Sequence, residues 1–496
     1  MPARFPATRT AIQTCAAVVL LSAGATRPAR TVVSHEHFVG PSGTAAAQGT
    51  RRDPWSLAWA LAGADGQVHP GDTVWLLNGV YPGTEFRTEL NGTPTARITF
   101  RQYPGARATI DGRLLARGAY LDFWGFEIMQ SDPLAHPQIQ LLDARTDHGR
   151  FINLILHDAN THGVNFWTPG VDAELYGCIV YNNGTHENLD HGTYVHNESG
   201  VKQIEDNVFF LNYARGIQVY ATPKNDVLRN VHVVGNVSFN NGVISSRSSR
   251  VNLLISAQAR TEGMTAEENM LFFSDNDGSN IRLGHYSPSF NGDIVVRNNY
   301  AAGGAVGLEM PVRWDRAVVE GNTWLGSGAM VRLPGGGEPL APALRWRDNR
   351  YGTDPGAPAW LVGGQRNDFE GFRRATGLGA DDTVLGPAPF APRVFVRPNR
   401  YEAGRAHIVI YNWDRRPVVP VDVAGVLHPG DRYEVHNVQA LFDPPVASGI
   451  YRSGAPIEIP MQGVKPPAPL GPRRSARPAP RTGPDFDVFL LTRPAP

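Results

Sequence analysis

Short apolar runs return through residues 150–350, and the position ahead of each run keeps the same residue type. Asn153, Asn207, Asn236, Asn269, Asn299, Asn322 and Asn349 each precede one, with Cys178 in the equivalent place, at spacings of 23 to 33 residues. A polar or glycine turn follows each run, and then, in most copies, a second strand in which apolar and polar residues alternate. The clearest copies are Val201 to Tyr220 (VKQIEDNVFFLNYARGIQVY) and Phe151 to Trp167 (FINLILHDANTHGVNFW). Helical periodicity is missing from them. Short strands repeated at this interval predict a solenoid of parallel strands. Parallel stacking sets equivalent residues of successive coils about 4.8 Å apart, so a column of the repeat reads as a surface in space.

The pattern changes at both ends. Residues 55–64 have the apolar spacing of a short amphipathic helix, with Asp53-Pro54 as a start signal, and this helix is expected to cap the first coil. Strand 73–77 and a turn at 79–83 follow. After Asn349 the repeat dissolves, and 351–390 reads as a linker or cap over the last coil, with a short helix over 368–376 ended by Gly377. From Arg393 the grammar is of short strands between Pro/Gly turns, at 394–396, 407–411, 418–423, 433–435, 457–459 and 486–491. That spacing predicts a small antiparallel β-sandwich over 391–496. Its expected role is packing, with carbohydrate binding as the alternative. Within it, the Pro/Arg-rich stretch 465–484 is expected to be a disordered loop. The fold class is all-β, with a parallel β-helix over 31–350.

Composition narrows the function classes. The 496 residues carry 46 basic and 46 acidic side chains, and zero net charge argues against a nucleic-acid footprint, which normally needs a basic stripe. Residues 1–25 read as a secretory signal: Arg4 and Arg9, the apolar stretch Cys15 to Leu21, and Ala23-Gly24-Ala25 as a cleavage site. The apolar stretch is too short to span a bilayer. Export to the periplasm or beyond is expected, with no membrane attachment after signal removal and a monomeric state. Loss of the signal leaves Cys178 alone, so no intrachain disulfide can form, and its place in the ladder predicts a buried small apolar residue.

The N-terminal region carries a longer signature: Phe38-Val39, Pro41-Ser42-Gly43, Gly49-Thr50, Pro54, Ser56-Leu57, Gly71-Asp72-Thr73-Val74, then Gly79, Tyr81 and Gly83. Ile98 to Phe100, Tyr103-Pro104-Gly105 and Ile110-Asp111-Gly112 continue it. This resembles the opening of secreted right-handed parallel β-helix proteins of the pectate-lyase-like superfamily, over roughly residues 38–350. The resemblance implies a right-handed solenoid and a polysaccharide as substrate.

Aligning the second strands gives candidate chemistry. His162-Gly163-Val164-Asn165-Phe166-Trp167 lies over His191-Gly192-Thr193-Tyr194-Val195-His196, and that over Arg215-Gly216-Ile217-Gln218-Val219-Tyr220. Arg250 to Leu253 and Asn280 to Leu283 continue the stack. Alternation sends Val164, Phe166, Val195, Ile217 and Val219 inward, and Asn165, Trp167, Tyr194, His196, Gln218 and Tyr220 outward onto one face. His162, His191 and Arg215 border it at the turn. Aromatic rings stack on sugars, and Arg or His hold carboxylates. An acidic glycan cleaved by β-elimination needs a cation at the carboxylate, a base for the C5 proton and an acid for the leaving oxygen. Arg215 or His162 would neutralise, His191 would be the base, Tyr194 the acid, and Asp190 would orient a histidine. His157 is a further substrate-binding candidate. Asp190-His191 resembles the Trp-Ile-Asp-His stretch of pectate lyases, with Asn188 and Leu189 replacing Trp and Ile. The Asp-His-x-x-Tyr grouping is similar to the His and Tyr of alginate epimerases and lyases on this fold.

Other readings stay open. A glycosidase or C5-epimerase could use the same face, and a glycan-binding protein could use it without turnover. The Asn ladder reads as structural, as does a column of Asp158, Asn183, Asn212 and Asn241. No cofactor is clearly encoded. Calcium is the cation considered, because Asp275 to Asn280 resembles half of a calcium loop, but Tyr286 stands where the acidic twelfth ligand would be, so a plain turn is favoured. For zinc, His35-x-His37 lies in an N-terminus expected to be flexible, and no closed-site spacing accompanies it. Asp381-Asp382, the one Asp-Asp pair, is expected to lie outside the solenoid, which disfavours two-carboxylate hydrolysis.

Overall fold

Two sets of stacked parallel strands dominate the computed structural model, which describes residues 34–133, 140–222, 224–225, 227–284, 290–335, 340, 343–471 and 476–494. The expected signal at 1–25 lies outside the described residues. A 12-stranded parallel sheet forms one flank, and a 22-stranded assembly forms the other two, each coil contributing a strand to both. The architecture is a right-handed parallel β-helix followed by an antiparallel sandwich. Among the described residues no helix is long and apolar enough to cross a membrane.

The coil core is built by identical neighbours. Phe100, Phe123 and Phe151 stack at 5.6 and 5.3 Å, inward from successive strands of the 12-stranded sheet. At the next corner runs the asparagine ladder. Asn207 Nδ2 donates to Asn236 Oδ1 at 2.9 Å and to the Leu175 carbonyl, while its backbone N–H reaches the same Asn236 oxygen. Asn236, Asn269, Asn299 and Asn322 repeat the arrangement down to Asn349. Each buried amide therefore has its donors and acceptor used, which a buried corner requires. The residue before each rung adopts positive φ (Gly177, Asp206, Gly235, Glu268, Asn298, Gly321 and Asp348) and turns the chain into the next strand.

That register corrects the first rung. Ile155 pairs with Ile179, so Leu154 stands opposite Cys178 and Asn153 stands in the positive-φ position. Asn153 instead bonds Glu402 and Asn399 of the C-terminal segment. Cys178 is a rung: it is buried, its N–H donates to Asn207 Oδ1 at 2.9 Å, and burial pushes its thiol up to about 12.

The ends are closed as the patterning suggests, with shifted bounds. The first helix is Leu57–Leu61, capped by Ser56 rather than started at Asp53-Pro54. The second is Phe369–Thr376, capped by Asp368 and ended by Gly377 at φ 72°. It lays Phe372 beside Trp360 over the last coil. Asp382 does not lie outside the solenoid: Thr383–Val384 pairs with Arg350–Tyr351, and Asp382 receives Asn349, Tyr351 and Trp346.

In the C-terminal segment, Arg393–Pro398, Ala406–Tyr411, Phe486–Thr492, Arg432–Asn437 and Ala447–Ile450 form a five-stranded sheet, and Val418–Val421 with Ile457–Pro460 a two-stranded one. The larger sheet rests on an aromatic stripe of the solenoid. His157, Tyr181, Phe210 and Phe239 stack at 4.8, 4.9 and 5.0 Å, and Phe486 lies on Phe272 at 4.4 Å. The stretch 465–484 is not loose in its described parts. Asn182 donates to the Pro467 carbonyl, Leu470 N–H to Asp158, and Arg477 N–H to the Ile244 carbonyl. Proline lacks an N–H but keeps its carbonyl, so such a segment can still be pinned from one side.

Candidate functional site

The stacked face lies on the flank away from the sandwich, on strands Leu142–Ala144, Val164–Phe166, Thr193–Val195, Arg215–Ala221 and Val251–Ala257. Register puts Asn165 beside Tyr194 and Tyr194 beside Gln218, with Val164, Thr193 and Ile217 inward. The alignment of the three central coils is therefore the pairing found. One coil further it slips: Arg215 pairs with Val251, not Arg250, and Gln218 leads to Leu254 and then Arg282. Arg250 turns away to hold Asp275 and Asp277 at 2.7 and 3.2 Å, so an arginine occupies the half calcium loop.

Why each border residue is followed by glycine is a matter of space. A Cβ on Gly163 would lie 2.7 Å from Asn183 Nδ2, and one on Gly216 would lie 2.4 Å from Ser238 Oγ. Behind these glycines runs a second amide ladder, Asn183 to Asn212, Asn241, Asn252 and Asn280. Asp158 is not part of it; Ala159 N–H supplies the contact to Asn183, and Asp158 sits one residue earlier at positive φ.

His162 and His191 stack at 5.2 Å, and each spends Nδ1 on the coil above. His191 N–H donates to His162 Nδ1 at 3.1 Å, and Arg215 N–H to His191 Nδ1 at 3.4 Å. An accepting Nδ1 fixes the tautomer with the proton on Nε2. Burial pushes His162 down to about 4 and His191 well below the usual imidazole range, with Arg215 and His162 adding to the latter. Both rings are neutral at neutral pH. His162 therefore carries no charge for a carboxylate, and His191 has no lone pair left to act as base. Asp190 orients neither: its carboxylate closes the preceding turn by accepting Thr185 and His186 N–H at 2.8 and 2.7 Å.

Arg215 remains the cation of the column. Burial, helped by Arg282, brings it down to about 10, still charged at neutral pH. Nη1 donates to Gln218 Oε1 at 2.7 Å and to the Asn188 carbonyl, while Nε has no partner among the described residues. Tyr194 stands at the centre, with Trp167 edge-on at 4.8 Å, His162 at 5.3 Å and Tyr220 at 6.4 Å. Burial and Tyr220 push its phenol up to about 12, so it keeps its proton. His196 is buried beside Trp167 at 5.0 Å. Its Nε2 meets Glu198 at 2.8 Å, and Nδ1 has no partner among the described residues.

His157 is not brought to this face. It lies under the sandwich between Asp158 and Glu127, both at 2.7 Å. Burial would lower its pKa, but the two carboxylates outweigh that and raise it. Hydrogen bonds from His157, Arg107 and Thr109 likewise overcome burial to hold Glu127 at about 2. This is a buried ion cluster.

Sequence alignment missed part of the face. Asp143 pairs with Asn165 and takes its amide at 2.9 Å, and Arg145 bonds Asp143 at 2.8 Å. Glu309 bridges Arg282 and Arg332 at 2.7 and 2.8 Å further along. Carrying the register one coil in each direction would have found them. Behind the face lies Lys202, buried, donating to the Phe166 and Trp167 carbonyls; burial, then Arg145, pushes it down to about 7. A cavity of about 570 Å³ at Glu174, Glu205, Arg150 and Arg400 belongs to the seam with the sandwich, where Arg400 ion-pairs with both glutamates.

No family model matches the chain, and no curated protein matches it. Solved structures do. Pectate lyase Pel9A aligns at 16% identity over 64% of this chain and 79% of its own, with a TM-score of 0.52. A rhamnogalacturonan lyase aligns at 16% identity, 60% and 84% coverage and TM-score 0.41, and a GH136 lacto-N-biosidase from Eubacterium ramulus at 13%, 71%, 68% and 0.43. Identities this low speak for architecture alone. In fold, the chain is a right-handed parallel β-helix, similar to that of pectate lyase Pel9A.

Proposed function

We propose that this is an exported carbohydrate-active β-helix protein that takes an acidic polysaccharide along the Trp167–Tyr194–Tyr220 face and cleaves it by β-elimination. The observation that carries the reading is that Arg215, charged and with an Nε that has no partner among the described residues, borders the same aromatic strand face as the protonated phenol of Tyr194. Arg215 would hold the uronate carboxylate and stabilise the charge that develops when C5 loses its proton. The C5–H electrons form the C4=C5 bond as the C4–O bond breaks, and Tyr194 protonates the departing oxygen. The base in this reading is His196 rather than His191. Glu198 accepts a hydrogen bond from Nε2, which leaves the Nδ1 lone pair without a partner among the described residues. Export rests on the signal-like residues 1–25, and the sandwich is assigned the packing role, since its sheet buries the aromatic stripe.

The test is a panel of uronic-acid polymers with and without chelator. Elimination creates an unsaturated uronate that absorbs in the ultraviolet; hydrolysis creates reducing ends alone, and epimerisation neither. A panel without any product would discard the enzymatic reading. A second reading, glycan binding without turnover, is favoured by the burial of His191, Asp190 and His196, and retained binding on that same panel would select it.

A further inference from the structure

The N-terminal edge of the solenoid holds a cluster that the proposed function does not use. His35 and His37 flank the start of strand Glu36–Val39, the outermost strand of the 12-stranded sheet, which pairs with Thr73–Leu76 on one side and makes an isolated bridge to Trp55 on the other. His69 lies on the turn just before that partner strand. All three imidazoles converge on Asp72, whose carboxylate is fully buried. His35 Nδ1 lies 3.2 Å from Oδ1, while His37 Nε2 and His69 Nδ1 lie 3.3 and 3.7 Å from Oδ2.

We infer that His35, His69 and Asp72 bind a divalent first-row transition metal of the zinc class. Hydrogen bonding accounts for the approach of His35 and His37 to Asp72, at 3.2 and 3.3 Å, but not for that of the His69 ring at 3.7 Å. Asp72 is already served by the backbone N–H groups of His35 and His69, both at 2.8 Å, which also fix its orientation. The imidazole–carboxylate separations run to the long end of hydrogen bonds or beyond it. Tetrahedral metal bonds of about 2.0–2.2 Å put neighbouring donor atoms about 3.3–3.6 Å apart, and the His35 and His69 separations from Asp72, 3.2 and 3.7 Å, lie on either side of that range. The donor atoms of His35, His69 and Asp72 all lie within 4.8 Å of one another, so a small closure of two side chains completes the set. Those two are mobile at little cost, since the His35 and His69 side chains are 54% and 58% exposed. His37, stacked on Trp55 at 4.7 Å, holds the second carboxylate oxygen and acts as an orienting residue. Imidazole with one carboxylate suits zinc, copper or nickel, whereas calcium and magnesium take oxygen ligands. The fourth position is left to water. Bound there, the metal ties the edge strand to the 69–72 turn.

The experiment is calorimetric titration of the untagged, chelator-stripped full chain with zinc and, separately, magnesium, at a pH where imidazole is neutral. One equivalent of zinc should bind saturably and raise the unfolding midpoint, with no comparable magnesium signal. The double variant His35→Ala/His69→Ala should weaken zinc binding at least about tenfold, and His428→Ala, at an exposed histidine elsewhere, should not change it. If the double variant loses its far-ultraviolet circular dichroism, the single exposed-turn variant His69→Gln replaces it. Absence of saturable zinc binding, equal binding by the variants, or magnesium binding as tight as zinc would overturn the site.

Discussion

His162 Nδ1 accepts the backbone N–H of His191 at 3.1 Å, and that one contact converts a seeming catalytic histidine pair into a framework element. A lone pair engaged by the next coil is not available to a substrate. His191→Ala should therefore leave turnover within about a few-fold of the parent. It should cost about 1–3 kcal/mol of stability, because the Arg215 N–H loses its acceptor. Denaturant midpoints set against initial rates separate the two effects.

The opposite outcome is expected at Arg215. Arg215→Lys keeps a charge but loses the fork, and the rate on a uronate polymer should fall by about a hundredfold. Stability should change little, since the backbone contact to His191 remains. A rate close to the parent's would remove Arg215 from the chemistry.

His196→Gln and Glu198→Gln should both depress turnover. Glu198→Gln does so by removing the carboxylate that holds Nε2 and orients the ring. If His196→Gln runs at the parent's rate, His196 is not the base.

Lys202 gives a stability signature independent of activity. Its folded pKa, about 7, is below the unfolded value of 10.5. Between those values the unfolded chain binds more protons, so this group makes stability rise with pH from about 7 towards 10.5, and below 7 its destabilisation is complete. Lys202→Met should flatten that rise in thermal midpoints taken between pH 7 and 10. An unchanged slope would mean that Lys202 is hydrated and normal.

Asn236→Ala should be among the most destabilising changes in the solenoid, by about 2 kcal/mol or more. It strips partners from the Asn207 and Asn269 rungs and from the Ile204 carbonyl together. Thermal unfolding measures it.

Much of this was legible in the residues themselves. Strict two-residue alternation carried the register of His162, His191 and Arg215 across the coils, because a one-residue slip would have put Phe166 and Val219 in water. The slips at Asn153 and Asp158 occurred where the left-handed corner residue, rather than the rung, is the polar one; composition does not separate those two positions. His157 was misplaced for a different reason. A strand pattern tells inward from outward, but it does not tell an outward face in solvent from one beneath a second sheet. Glu198 was missed because it pairs with a ring from a turn, outside any periodic strand.

Asp382, which receives Asn349 at the foot of the ladder, has a consequence for assembly. Every amide above it both gives and takes, so the row has a direction, and a further asparagine would simply have extended it. Asp382 only takes: Asn349, Tyr351 and Trp346 all donate to it. A second molecule stacked end-on would find no donor there to continue the row, and the solenoid carries its own stop against growing into a fibre.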